Sequence, residues 1–197
     1  MASLPWRLIR VRPTVAVTDE TPKIADECGT LFTFDGSVTL SMQAPPHYRL
    51  TIADFDAART DEILRLWRES FEFGVGVVDP DPFEDQREAF VSTVVPNNSV
   101  RMALLDDTLL GFIAATKESI THLYVRVGHH HRGIGTHLLD WAQTQSSGKL
   151  WLFAFARNAI ACMFYEKHGF EIVARGFEPT WQLADIKYEW TAKSAVL

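Results

Sequence analysis

Leu123-Tyr124-Val125-Arg126-Val127-Gly128-His129-His130-His131-Arg132-Gly133-Ile134-Gly135-Thr136 is the stretch on which the fold turns. It opens on β-forming residues, passes through a His- and Gly-rich loop, and enters a helical spacing of Ile134, Leu138, Leu139 and Ala142 that runs to about Gln145. A strand that feeds straight into a helix presents the helix's first-turn N–H groups, which have no internal partner, together with the positive end of its dipole. That combination is a natural anion site. Gly133 and Gly135 mark a close approach, because a Cβ would hold a phosphate away from those amides, and Arg132 adds a fixed positive charge beside it. A Walker-type loop would need Gly-Lys-Ser/Thr. A dinucleotide fingerprint would need a third glycine where His137 and Leu138 follow Thr136. A nucleotide kinase and an NAD enzyme are therefore disfavoured. Three adjacent loop histidines rarely converge on one ion, and neither cysteine nor a carboxylate motif accompanies them, so no metal is expected. Near a bound anion their pKa would instead rise.

Upstream, Val100 to Leu105, Leu109 to Ala115 and Ile120 to Val125 are apolar runs separated by Asp106-Asp107 and Lys117-Glu118, the pattern of an antiparallel meander. Before them, a strand from Tyr48 to Ile52 precedes an amphipathic helix bearing Ile63, Leu66, Trp67 and Phe71, which is expected to break at Gly74 and Gly76. The turn Asp79-Pro80-Asp81-Pro82 leads to a second helix ending near Val95, closed by Pro96-Asn97-Asn98. Downstream come a buried strand, Leu150 to Phe155, a helix opened by Asn158 and ended by His168-Gly169, and strands around Phe170 to Ala174 and Ile186 to Trp190. A meander joined to a β-α-β unit implies an α/β (α+β) fold, a mixed sheet with helices on its faces. Residues 1–47 lack any sustained period and end on the break Ala44-Pro45-Pro46-His47. They are expected to be an N-terminal extension, accessory or poorly ordered, ahead of a domain spanning 48–197, and Met42 is a candidate natural start.

The second informative stretch is Asn158-Ala159-Ile160-Ala161-Cys162-Met163-Phe164-Tyr165-Glu166-Lys167-His168-Gly169-Phe170. Asn158 suits an N-cap, Ala161 and Phe164 a core face, and Gly169 a C-cap. Taken with Arg132-Gly133-Ile134-Gly135 after Leu123-Tyr124-Val125, it resembles the paired signature of the GNAT superfamily of acetyl-CoA-dependent N-acetyltransferases. In that family the pattern reads Gln/Arg-x-x-Gly-x-Gly/Ala followed by Asn-x-x-Ala-x-x-Phe-Tyr-x-x-x-Gly-Phe. One departure is plain: His130 occupies the leading Gln/Arg position, whose role in the family is largely backbone contact with pyrophosphate.

The resemblance implies a GNAT-like, mixed but mostly antiparallel sheet flanked by helices, and acetyl-CoA as co-substrate. It implies a CoA site built from Leu123, Tyr124, Val125, His130, His131, Arg132, Gly133, Ile134, Gly135, Thr136, Asn158 and Tyr165. It further implies that Val125 N–H stabilises an oxyanion, that the Asn158 side chain holds the pantetheine arm, and that the Tyr165 hydroxyl, near the CoA sulfur, is the catalytic proton donor. The acceptor amine is unspecified. Phe71 to Asp81 and Phe177 to Leu183 would shape its pocket, where Asp79, Asp81 and Glu178 are either cation partners or solvated surface and Trp181 is either wall or core. No general base stands out among Glu118, Ser119, Thr121 and His122. A non-catalytic acyl-CoA-binding or regulatory module of the same fold is the alternative.

Bulk properties agree with such an enzyme. The 197-residue chain is 47% hydrophobic, enough for one sizeable core. Its net charge of -6 argues against nucleic acid as a partner. No run approaches the ~20 apolar residues of a membrane span, and the Arg-interrupted N-terminus lacks a signal peptide's apolar centre. With Cys28 and Cys162 as its only cysteines, a disulfide framework is not expected and a cytoplasmic location is; a homodimer is allowed.

Overall fold

A computed structural model describes residues 50–192 of the chain. The expectations for residues 1–47, for Tyr48, for Met42 and for Cys28 lie outside the described residues.

Strand β1 (Leu50–Asp54) is followed by helix α1 (Thr60–Val75) and a helical run made of α2 (Phe83–Ala89), a π-helical turn (Phe90–Val94) and α3 (Val95–Asn97). Then come β2 (Ser99–Leu105), β3 (Thr108–Ala115), β4 (Ile120–Val125), α4 (Ile134–Gln145), β5 (Lys149–Phe155), α5 (Ala159–Lys167), β6 (Glu171–Glu178) and β7 (Leu183–Thr191). The strands form two antiparallel sheets, in the orders β1-β2-β3-β4 and β5-β7-β6. They meet through one parallel bridge, Ser119 to Trp151, closed by Trp151 N–H donating to Glu118 O at 2.9 Å. The expected architecture is present, and its parallel component is this single bridge.

The first sheet is covered on both faces. Ile134, Leu138, Leu139 and Ala142 of α4 pack with Leu110, Ile113 and the inner residues of β5 and β7. Ile63, Leu64 and Leu66 of α1, with Phe90, pack with Val100, Met102, Leu109 and Phe112. β3 is thus buried from Leu109 to Ala115, which accounts for its unbroken apolar run. Asp106 and Asp107, both at positive φ (46° and 66°), make the two-residue turn that joins β2 to β3.

Two helix ends differ from expectation. α1 does not break at Gly74; it continues to Val75, and Gly76, at φ 67°, is its left-handed C-cap. The reason for Gly74 is tertiary: a Cβ there would stand 2.7 Å from Asn158 Nδ2. The second helix likewise passes Val95 and reaches Asn97, through a π turn in which Val95 N–H bonds Phe90 O just before Pro96. Pro96 brings no N–H, and the Asn97 and Asn98 side chains donate instead to the Thr93 and Val94 carbonyls, each at 2.8 Å.

Candidate active site

β4 and β5 run side by side at Ser119 and Trp151 and then part, leaving a gap at their C-terminal ends. A bulge in β4 sets what faces it. Ala114 pairs with His122 and Ala115 with Ile120, so Thr121 is the extra residue, its hydroxyl held by Ala114 O at 3.0 Å. Beyond the bulge, Arg126 N–H bonds Leu110 O on the β3 side. Backbone groups alternate edges along a strand, so the Val125 N–H and C=O both point the other way, toward the gap. The Val125 carbonyl there accepts from the Ser70 hydroxyl of α1 at 2.9 Å, and the N–H beside it is the preorganised donor that this edge presents.

From Val125 the chain turns through Gly128 (φ 81°), His131 (φ 62°) and Gly133 (φ 80°) into α4. Gly133, in the left-handed region, is the N-cap, and the first intrahelical bond is His137 N–H to Gly133 O at 3.0 Å. The amides of Ile134, Gly135 and Thr136 therefore head the helix without intrahelical partners. His131 and Arg132 are exposed beside them. His130 stacks on Phe73 of α1 (centroids 5.7 Å apart, planes at 15°), and burial with its histidine neighbours lowers its pKa in the ligand-free protein.

Other residues expected to hold the cofactor are occupied by the fold. The Leu123 and Val125 side chains pack on the α4-side core and the Ile134 side chain lies within it. Gly135 is close not to open space but to Phe164, whose ring edge would lie 3.3 Å from a Cβ. The Thr136 hydroxyl meets His168 Nε2 at 3.1 Å while His168 Nδ1 is 2.7 Å from Phe164 O. A proton on Nδ1 satisfies both contacts, with Thr136 donating to Nε2. Asn158 is the N-cap of α5, its Oδ1 accepting from Ala161 N–H at 3.1 Å and its amide lying on Gly74.

Tyr165 is buried on α5 against Phe164, Phe170 and Tyr188, and burial raises its pKa, with Tyr124 and Cys162 adding to the effect. Its hydroxyl has no hydrogen-bond partner among the described residues, yet it is not sealed: the one buried, unpaired side-chain oxygen among them is Asp185 Oδ1. Tyr165 therefore stays protonated while its hydroxyl retains contact with solvent. Across β4, Tyr124 stands in an aromatic group with Trp67, Phe112 and His122, and burial pushes its pKa up to about 12. The same burial pulls His122 down to about 4, so it is a neutral imidazole, with Nδ1 3.0 Å from Thr121 Oγ1.

On the α1 side, several residues left open by the sequence have structural roles. Asp79 is buried, 3.6 Å from an Arg68 guanidinium nitrogen, contacted by Gln86 Nε2 and bonded at Oδ1 by Asp81 N–H. Arg68 also donates to Asp81 O at 2.7 Å, so this network locks the α1–α2 turn. Glu178 accepts from Trp181 N–H, and Trp181 packs with Phe71, Val75 and Val77 in a third apolar cluster. Among the described residues no cluster of metal-ligating side chains occurs, and no helix is long and apolar enough to cross a membrane.

Residues 96–172 match the family model described as the acetyltransferase (GNAT) domain. Similar solved structures include apo YjaB from Escherichia coli (16% identity, 74% of this chain and 99% of that one covered, TM-score 0.61). They also include the PaiA N-acetyltransferase of Thermoplasma acidophilum in complex with coenzyme A (18%, 73% and 99%, TM-score 0.58) and YncA of Salmonella typhimurium with acetyl-CoA (14%, 75% and 96%, TM-score 0.56). No curated protein matches the chain significantly. The fold is that of the GNAT acetyltransferases, and it is residues 96–172 that match their family model.

Proposed function

We propose that the protein is an N-acetyltransferase that moves the acetyl group of acetyl-CoA directly to a primary amine. The observation that carries this reading is the parting of β4 and β5 beyond Ser119 and Trp151, with the Val125 backbone turned away from β3 on the β4 edge and the N-terminus of α4 following it. The α4 amides and Arg132 suit a diphosphate, and the strand edges suit an extended pantetheine arm. Two of the similar structures hold coenzyme A or acetyl-CoA, which supports the same ligand here.

The chemistry follows from these groups. An uncharged amine nitrogen attacks the thioester carbonyl, and Val125 N–H is placed to stabilise the oxyanion. Collapse breaks the C–S bond, the sulfur leaves with the electron pair, and the proton lost from nitrogen finally resides on sulfur. Tyr165, with its raised pKa, favours the departing thiolate as a hydrogen-bond donor more than by full proton transfer, since an ordinary thiol has a pKa of about 8.5.

Acetyl-CoA should raise the melting temperature, because a ligand that binds only the folded state adds RT ln(1 + [L]/Kd). Gly135→Asp should lower the unliganded melting temperature through its contact with Phe164 and abolish the ligand-induced shift through the added carboxylate at the helix head. A full ligand-induced shift in this variant would remove the α4 N-terminus from the binding site.

A further inference from the structure

The first turn of α4 is held from behind by α5. Gly135 has no side chain, and a Cβ there would stand 3.3 Å from the Phe164 ring, so the two helices approach closely at this point. One residue on, the Thr136 hydroxyl does not fold back onto its own helix but reaches His168 Nε2 at 3.1 Å. His168 is itself fixed. It is the C-cap of α5, with its N–H bonded to the Phe164 and Tyr165 carbonyls at 3.2 and 3.0 Å. Its Nδ1 lies 2.7 Å from Phe164 O, and its ring centroid lies 4.3 Å from that of Phe164.

Little else ties that turn down. The chain enters α4 through three residues at positive φ, Gly128, His131 and Gly133, and the amides of Ile134, Gly135 and Thr136 have no partners within the helix. Ile134 is buried in the core and anchors the turn by packing. The Thr136–His168 contact is the one hydrogen bond, among the described residues, that joins the turn to another element. Apolar packing is not directional, whereas a hydrogen bond between two fixed groups has a preferred length and angle. The direction in which the free amides point is therefore set most sharply by this bond.

We propose that His168 is a positioning residue for coenzyme binding: through Thr136 it sets the pose of the α4 first-turn amides that receive the diphosphate. His168 acts without touching the ligand. The inference rests on the acetyl-CoA reading above and goes beyond it by assigning the alignment of α4 to α5. Tyr165, expected near the sulfur, lies on α5, and Asn158, expected at the pantetheine arm, is its N-cap. The same helix thus registers one end of the coenzyme against the other.

The test is calorimetric acetyl-CoA binding to the full chain as wild type, His168→Ala, Thr136→Val, the double variant and His168→Gln, with the melting temperature of each unliganded protein. His168→Ala and Thr136→Val should each raise the acetyl-CoA Kd about 3- to 10-fold, the range for one neutral hydrogen bond. The double variant should bind no more weakly than the weaker of the two, because both changes break the same link. His168→Gln, whose side-chain amide can accept from the Thr136 hydroxyl, should recover most of the loss. An unchanged Kd in Thr136→Val, which is near-isosteric and carries the test even if His168→Ala does not fold, would overturn the proposal and leave His168 a helix cap. Additive effects in the double variant would also overturn it, since Thr136 would then act on the ligand without His168. Both results leave the acetyl-CoA reading standing. A wild type with no measurable acetyl-CoA binding would remove that reading and the positioning role together.

Discussion

Tyr165 and His122 are both buried, and burial favours the neutral form of each, with opposite consequences. For Tyr165 the raised pKa guarantees a proton across the working range, so Tyr165→Phe should bind acetyl-CoA nearly as well as the wild type and lose about 10²-fold in kcat. Steady-state CoA release beside calorimetry separates the two quantities. An undiminished kcat, with chemistry limiting, would leave Tyr165 a packing residue. For His122 the folded pKa, about 4, lies below the ordinary value of 6.5. The unfolded state therefore binds the extra proton between those pH values. The stabilising contribution is complete above pH 6.5 and is lost as the pH falls toward 4, on the order of 3 kcal/mol at most. Urea unfolding of the wild type and His122→Phe across that window should show a shallower pH slope for the variant. Parallel slopes would mean that His122 does not titrate on unfolding as its burial requires. The sequence placed both residues but not their surroundings: His122 stood out only as a histidine on a strand, and its aromatic shell comes from α1 and β3.

Elements were legible where their signals are local. The meander β2-β3-β4 is written in apolar runs and in the Asp106-Asp107 turn, and the start of α4 in its glycines. β6 extends past Ala174 to Glu178 because β7 pairs with it along that length; nearly all its residues are exposed, so it shows no buried alternation to read. α1 was expected to break at Gly74 because a glycine in a helix usually signals weakness, whereas this one admits the Asn158 side chain from α5. The Gly74 contact makes a separable prediction. Gly74→Ala gains up to about 1 kcal/mol of helix propensity while its Cβ displaces Asn158. Stability should therefore change little, and acetyl-CoA affinity should fall if Asn158 serves the cofactor. Unchanged calorimetric affinity would leave Asn158 a helix cap alone.

For the molecule as a whole, two antiparallel sheets are joined at one bridge among the described residues, and the candidate site draws on elements of both. Val125 comes from β4 after the bulge, Tyr165 from α5 and the partner-free amides from the first turn of α4. Helix α1 ties the parts together, with Ser70 on the Val125 carbonyl, Phe73 on His130, Gly74 under Asn158 and Phe71 on Trp181. The overall plan was readable because two motifs from distant parts of the chain meet in it; the acceptor side was not, because no motif specifies it. The most direct test of the central claim is mass-spectrometric detection of product after incubating the purified protein with acetyl-CoA and a panel of primary amines. N-acetylated amine formed in equal amount to released CoA is the result predicted. Saturable acetyl-CoA binding with no acetylated product from any amine would contradict it and leave a CoA-binding module.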